Sequence, residues 1–186
     1  MLKRFPLILF SSFLFFGQCF ALPSPSSITV ASGFMEEDNL KNRGDSYQIT
    51  PLFIALGYEI RPQAEQLEAG ILEFQIEFFA NPVIAPDNNV EFGVSFMFMM
   101  GFPVTERFIP YFKIGTGPGY TTQHTKEQAT QWNFFSTGAL GLRWVLDDKK
   151  SINLEFRVRH FSNAGIQKPN DGIDTEGYVL GFTYKY

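Results

Sequence analysis

From Ile28 onward the chain repeatedly places a large apolar side chain at every second position, the period of a β-strand. Leu72, Phe74, Ile76 and Phe78 alternate with Glu73, Gln75 and Glu77. Val90, Phe92, Val94, Phe96 and Phe98 alternate with Glu91, Gly93, Ser95 and Met97. The same alternation runs through Leu140–Trp144, Ile152–Arg159 and Tyr178–Tyr186, and more weakly through Ile28–Glu36, Gln48–Ile60 and Phe108–Thr116. The pattern predicts eight strands, an even number, of roughly the 9–11 residues that a tilted strand needs to cross a bilayer.

The face opposite the large apolar one decides between architectures. It is small at Ala31, Gly33, Ala55, Gly57, Gly93, Ser95, Gly115, Gly117 and Gly141, and charged at Glu73, Glu77, Arg143, Glu155 and Arg157. A soluble sandwich or lipocalin buries its apolar face and gains nothing from small residues on its wet one. An eight-stranded barrel is narrow, so small residues and paired charges fit its interior while Phe and Leu meet lipid. The expected fold is therefore all-β: an eight-stranded antiparallel transmembrane up-and-down barrel, with Glu73, Glu77, Arg157 and Arg159 in an interior ion-pair network. Trp132, Trp144, Tyr178 and Tyr186 suit aromatic girdles. Glu37–Asp45, Ala80–Asn89, Gly119–Gln131 and Asn163–Ile173 read as long polar external loops. Arg61–Glu68, Gly101–Arg107 and Asp147–Lys150 read as periplasmic turns.

Composition adds a destination. Residues 1–21 have the form of a secretory signal: Lys3 and Arg4, an apolar run from Phe5 to Gly17, and Cys19-Phe20-Ala21 at the cleavage site. Residues 22–186 are then one barrel domain in the outer membrane of a Gram-negative bacterium. Cleavage removes Cys19, the single cysteine, and with it any disulfide or thiol nucleophile. Loss of Lys3 and Arg4 takes the formal charge from −4 to −6, which argues against a nucleic-acid partner. With two His and no His-Glu pair at ligand spacing, a zinc site is not expected. His124 reads as a solvated loop residue. Gly115–Gly119 is no phosphate loop, because Pro118 lacks an N–H and no Lys-Ser/Thr follows.

Candidate chemistry gathers near the C-terminus. His160 and Ser162 share parity with Leu154, Phe156 and Val158, so they stand on the lipid-facing side where the seventh strand enters its external loop. Asp174 and Glu176 share parity with Tyr178 and Leu180 on the neighbouring strand. If Ser162 faces Asp174, His160 faces Glu176; one step of register puts His160 opposite Asp174. Either way an acid lies within reach of the imidazole. Titratable groups on a lipid-facing surface are costly, and a Ser–His–acid triad gives them a reason. Ser162 would be the nucleophile, His160 the general base and Asp174 the orienting acid, with Glu176 as the alternative. Asn163, Gly165 and Asn170 are candidate oxyanion donors. Polar loop residues among lipid headgroups would produce the same string.

The string His160-Phe161-Ser162-Asn163-Ala164-Gly165-Ile166, followed by Pro169-Asn170-Asp171-Gly172-Ile173, resembles the C-terminal signature of the PagL family of lipid A 3-O-deacylases. The resemblance implies an eight-stranded outer-membrane barrel whose exterior His–Ser–Glu triad removes the 3-hydroxyacyl chain ester-linked at position 3 of lipid A. By position, the family's His falls on His160, its Ser on Ser162 and its Asn on Asn163. Its acid, usually Glu, falls on Asp174, which leaves Glu176 in play.

These readings together give a carboxylic ester hydrolase acting on lipid A in the outer leaflet, with no metal or organic cofactor. Its partners would be lipopolysaccharide and outer-membrane lipids, and the sequence is compatible with a homodimer. The acyl chains would lie along Phe156, Val158 and Phe182, with Lys41, Lys126 and Lys168 as candidate phosphate contacts. The competing readings are a non-catalytic outer-membrane barrel with a structural or adhesive role, and a soluble periplasmic lipid-binding barrel.

Overall fold

In a computed structural model, which describes residues 23–37, 46–60 and 70–186, the protein folds into one antiparallel sheet. Its strands are β1 (Ser27–Glu37), β2 (Tyr47–Ile49), β3 (Leu52–Ile60), β4 (Ile71–Ala85), β5 (Asn89–Gly101), β6 (Phe108–Thr121), β7 (Trp132–Val145), β8 (Lys150–Ser162) and β9 (Ile173–Lys185). Each strand pairs with the next, and β1 pairs with β9 from Ser27↔Lys185 to Glu36↔Glu176, so the sheet closes on itself. β2 and β3 are one barrel strand interrupted at Thr50-Pro51, which makes eight. The expected signal segment, Lys41 and the first periplasmic turn lie outside the described residues.

The two faces fall as the alternation requires. Phe78, Phe96, Phe98, Leu140, Leu154 and Leu180 are exposed on the outside. Glu73, Glu77, Glu91 and Glu155 are buried inside with Lys113, Arg143, Arg157 and Arg159. A soluble fold with this apolar exterior would aggregate; a barrel wall in lipid requires it.

The interior charges are paired with one another. Arg157 holds Glu77 through both guanidinium NH2 groups, at 2.7 and 3.2 Å, and its Nε donates to Glu155. Lys113 bridges Glu155 at 2.8 Å and Glu77 at 3.5 Å. Arg159 and the Tyr47 hydroxyl both donate to Glu91, and Arg143 reaches Glu73 at 3.6 Å. Four carboxylates thus meet four cations, and the core of the cylinder is close to neutral.

Two expectations are corrected and a third is extended. The Ala80–Asn89 loop is mostly strand: β4 runs to Ala85, β5 starts at Asn89, and Pro86–Asn88 alone make the turn. Pro82 is tolerated because its missing N–H is not needed, while its carbonyl accepts from Thr50 N–H at 2.9 Å. The interior is also not uniformly small or charged. At the end of the barrel near residues 122–131 and 163–172, Met35, Tyr47, Ile49, Val83, Phe135, Phe161 and Ile173 form a buried plug, with Phe135 and Phe161 stacked 5.1 Å apart. Finally, some glycines do more than spare room. A Cβ at Gly177 would lie 2.0 Å from the Phe34 carbonyl oxygen, and one at Gly33 equally close to that of Tyr178. The small residues let β1 and β9 approach closely where the barrel shuts.

Breaking the network should expose its cost. Glu77→Gln leaves Arg157 and Lys113 short of a carboxylate, and we expect a loss of about 3–5 kcal/mol, read as a lower urea midpoint of the detergent-folded barrel. An unchanged midpoint would show that Glu155 alone neutralises both cations.

Candidate functional site

The site is built at the end of β8. Along this strand Arg157, Arg159 and Phe161 point inward, held by Glu77, Glu91 and the aromatic plug. Val158, His160 and Ser162 therefore project outward. The register selects one of the two pairings left open by the sequence: His160 lies directly opposite Asp174, Val158 opposite Glu176, and Phe161 opposite Ile173.

His160 Nδ1 is 2.7 Å from Asp174 Oδ1. An ionised carboxylate can only accept, so Nδ1 carries the hydrogen and Nε2 keeps a basic lone pair. Both side chains are about half exposed, 46% and 64%. Asp174 is fixed from behind, since its backbone N–H donates to Glu37 Oε2 at 2.9 Å. Glu176 is exposed, two residues further along β9 and opposite Glu36 of β1. Of the two candidate acids, the geometry joins Asp174 to the ring.

A residue that sequence reasoning missed seats the imidazole. Gly172 has φ +76°, and a Cβ there would lie 2.3 Å from His160 Cε1 and 3.1 Å from each ring nitrogen. The β8–β9 register, continued by one pair, sets Gly172 opposite Ser162. The ring thus lies diagonally over Gly172, in the slot beside Ser162, and only a residue without a side chain leaves that slot open. Ser162 is half-buried, and no hydrogen bond joins its hydroxyl to the ring. The sequence signal was the Asp171-Gly172 pair, which reads simply as a turn.

The loop after Ser162 is tightly organised. Asn163 N–H donates to Asn170 Oδ1 and Asn163 Nδ2 donates to the Gln167 carbonyl, both at 2.8 Å. Ala164 and Gly165 both have positive φ, 54° and 77°, and Ile166 N–H returns to the Asn163 carbonyl at 3.1 Å. This is the geometry of a type I′ turn. Asn163 and Asn170 thus spend these groups on shaping the loop, while Gly165 sits at its exposed tip, where an added Cβ would meet nothing within 4 Å. The loop leans on residues 122–131, through Ala129 N–H to the Pro169 carbonyl and Asp171 N–H to the Glu127 carbonyl, each 2.9 Å. Lys126 and Lys168 are exposed on these two loops. His124 is exposed, with Nδ1 3.2 Å from the Thr122 carbonyl and no part in the site.

An open groove of about 1200 Å³ runs along the outer wall from His160 and Asp174. Phe156, Val158 and Tyr178 flank it, and Gly138 forms part of its floor. A Cβ at Gly138 would meet only Val158 Cγ2, at 3.5 Å. Among the described residues no three His, Asp or Glu side chains are grouped to hold a metal ion.

Comparison with known proteins gives three findings. The family model described as Lipid A 3-O-deacylase (PagL) matches residues 52–183. Comparison with curated proteins gives no match. Among solved structures, the outer membrane enzyme PagL is 18% identical at a TM-score of 0.58, covering 86% of this chain and 99% of that one. Neisserial surface protein A (NspA) is 11% identical at a TM-score of 0.62, covering 86% and 96%. Both are outer-membrane barrels and speak for the fold. With the family model spanning well over half of its length, the chain belongs to the lipid A 3-O-deacylase (PagL) family of Gram-negative outer-membrane barrels.

Proposed function

We propose that the protein is a serine esterase that hydrolyses the 3-hydroxyacyl ester at position 3 of lipid A, using Ser162, His160 and Asp174 on the barrel exterior. The observation that carries this reading is the 2.7 Å bond between His160 Nδ1 and Asp174 on a lipid-facing wall, where an unused ion pair would have no reason to persist.

The chemistry follows from the tautomer. His160 Nε2 takes the Ser162 proton as Oγ attacks the ester carbonyl. Asp174 stabilises the imidazolium through Nδ1–H. The developing oxyanion is met by the loop that starts at Asn163, where the Gly165 amide and the Asn170 side-chain NH2 are the candidate donors, while Asn163 holds the turn in place. Collapse expels the sugar oxygen, which takes the proton from Nε2, and leaves acyl-Ser162. Water, activated by Nε2, then releases the fatty acid. Rotation of the Ser162 hydroxyl about χ1 closes the bond to Nε2 when the ester arrives.

Depth favours the same substrate. His160 is opposite Ser136, four residues along β7 from the girdle residue Trp132. His160 is two residues from the external end of β8, and at the external end of the wall the ester carbonyls of an outer-leaflet lipid lie below the phosphorylated sugars, which stand beside Lys126 and Lys168. The acyl chain lies in the groove along Val158, Phe156 and Tyr178.

A non-catalytic surface barrel is the competing reading, and the fold shared with NspA keeps it in view. Lipid A mass spectrometry separates the two: expression of the protein should remove one 3-hydroxyacyl group, and Ser162→Ala should restore it with turnover down on the order of 10⁴-fold or more. Identical lipid A with and without the protein would favour the structural role.

The acid is tested by single substitutions. Asp174→Asn should lower kcat on the order of 10²–10⁴-fold, while Glu176→Gln should change it less than about tenfold; the reverse order would move the role to Glu176. Gly172→Ala should cost kcat on the order of 10²-fold by displacing the ring, with the barrel's heat-modifiable gel mobility intact. Full activity in that variant would show that the imidazole does not need the seat.

A further inference from the structure

On the outward rows of β4, β5, β6 and β7 every position is apolar or aromatic except two, Thr116 and Ser136. Both are exposed, and their hydroxyl oxygens are 3.1 Å apart. Thr116 pairs with Ser136, Ser136 with His160, and His160 with Asp174. The two hydroxyls therefore continue one transverse row across four strands that begins with the acid and base of the site. Both also line the groove that leaves His160.

A hydroxyl facing hydrocarbon is costly unless it is bonded. The mutual bond uses one of the pair's two hydrogens. One O–H and several lone pairs remain directed at the groove. Among the described residues neither hydroxyl has a second side-chain partner. A substrate can supply one.

We propose that Thr116 and Ser136 form a polar subsite that binds a hydroxyl carried on the acyl chain close to the scissile carbonyl. The proposal rests on the esterase reading above and names what that site selects. A hydroxyl is the fitting group for three reasons. Neither residue carries charge, so a phosphate finds no counter-ion there. A hydroxyl both donates and accepts, which matches what the pair has left. Cross-strand neighbours lie about 5 Å apart at Cβ, so a carbonyl held between Ser162 and His160 places a substituent two carbons away within reach of Ser136, and not one far down the chain. The expected substrate is a 3-hydroxyacyl ester in preference to the plain acyl ester of equal length.

The test compares p-nitrophenyl esters of (R)-3-hydroxydecanoate and decanoate in detergent micelles, with wild type, Ser162→Ala and the double variant Ser136→Ala/Thr116→Val. The double variant makes the lipid-facing wall more apolar, which a barrel exterior favours, so folding is not at risk. Wild type should prefer the hydroxylated ester by about tenfold or more in kcat/KM, the worth of one hydrogen bond, and the double variant should lose that preference. The ratio of the two substrates is the readout, because general damage to the site lowers both rates together. Equal rates in wild type, or a preference preserved in the double variant, overturns the subsite alone. Wild type as inert as Ser162→Ala on both esters overturns the esterase reading, and the subsite with it.

Discussion

The site depends on what holds the inward half of β8. Arg157 and Arg159 are committed to Glu77 and Glu91, and Phe161 is stacked into the plug. A slip of one residue would turn all three outward and bring Val158, His160 and Ser162 into the lumen. Two guanidinium groups would then face lipid, at about 2–4 kcal/mol each near the midplane, and their carboxylates would be left buried and unpaired. The interior network therefore fixes parity, and parity fixes the side of the wall on which the imidazole stands. The aromatic plug adds position: with Phe161 anchored between them, His160 and Ser162 are held at a constant offset along the strand.

The proposed exterior site would solve a problem specific to lipid substrates. An enzyme with its machinery in the lumen would have to pull several acyl chains out of the bilayer, at about 0.8 kcal/mol for each methylene exposed to water. With the machinery on the wall, the chains stay in hydrocarbon throughout and only the ester moves into register. The cost passes to the protein, which must keep polar side chains on a lipid-facing surface. Pairing His160 with Asp174, Thr116 with Ser136 and Gln48 with Glu36 reduces that cost side by side along the external rim.

Much of this was legible in the sequence because a period of two records which side of a sheet each residue takes. The outward rows, the interior carboxylates and guanidinium groups, and the outward placement of His160, Ser162 and Asp174 all follow from parity. What parity lacks is register. It could not decide between the two partners of His160, which depend on how β9 meets β8 and β1. It also fails where alternation is broken. Asn133, Ser136, Thr137 and Gly138 carry little hydrophobic contrast, so the first half of β7 lacks the strand signal and nothing local singles out the hydroxyl of Ser136. Pro82 and Pro86 make the end of β4 look like a loop, although Pro82 pairs with Val90 and its carbonyl accepts from the Thr50 N–H. Gly172 was hidden for another reason: its role lies in the contact with a ring twelve residues away, and no local pattern reports that.

Register also bears on the acid proposed for the site. A carboxylate directly across the strand pair starts about 5 Å from the histidine at Cβ, whereas a diagonal one starts about 7 Å away. Aspartate spans the first distance and not the second. The direct His160↔Asp174 pairing therefore permits the shorter side chain, and the Glu37 carboxylate on the Asp174 amide holds the first turn of β9 so that the pairing persists to the strand's end. Glu176, on the diagonal, has the length to approach the ring but stands opposite Glu36, and moving towards His160 would leave Asp174 as a second negative group at close range. The arrangement thus favours one acid on the ring and keeps the other as part of the acidic rim.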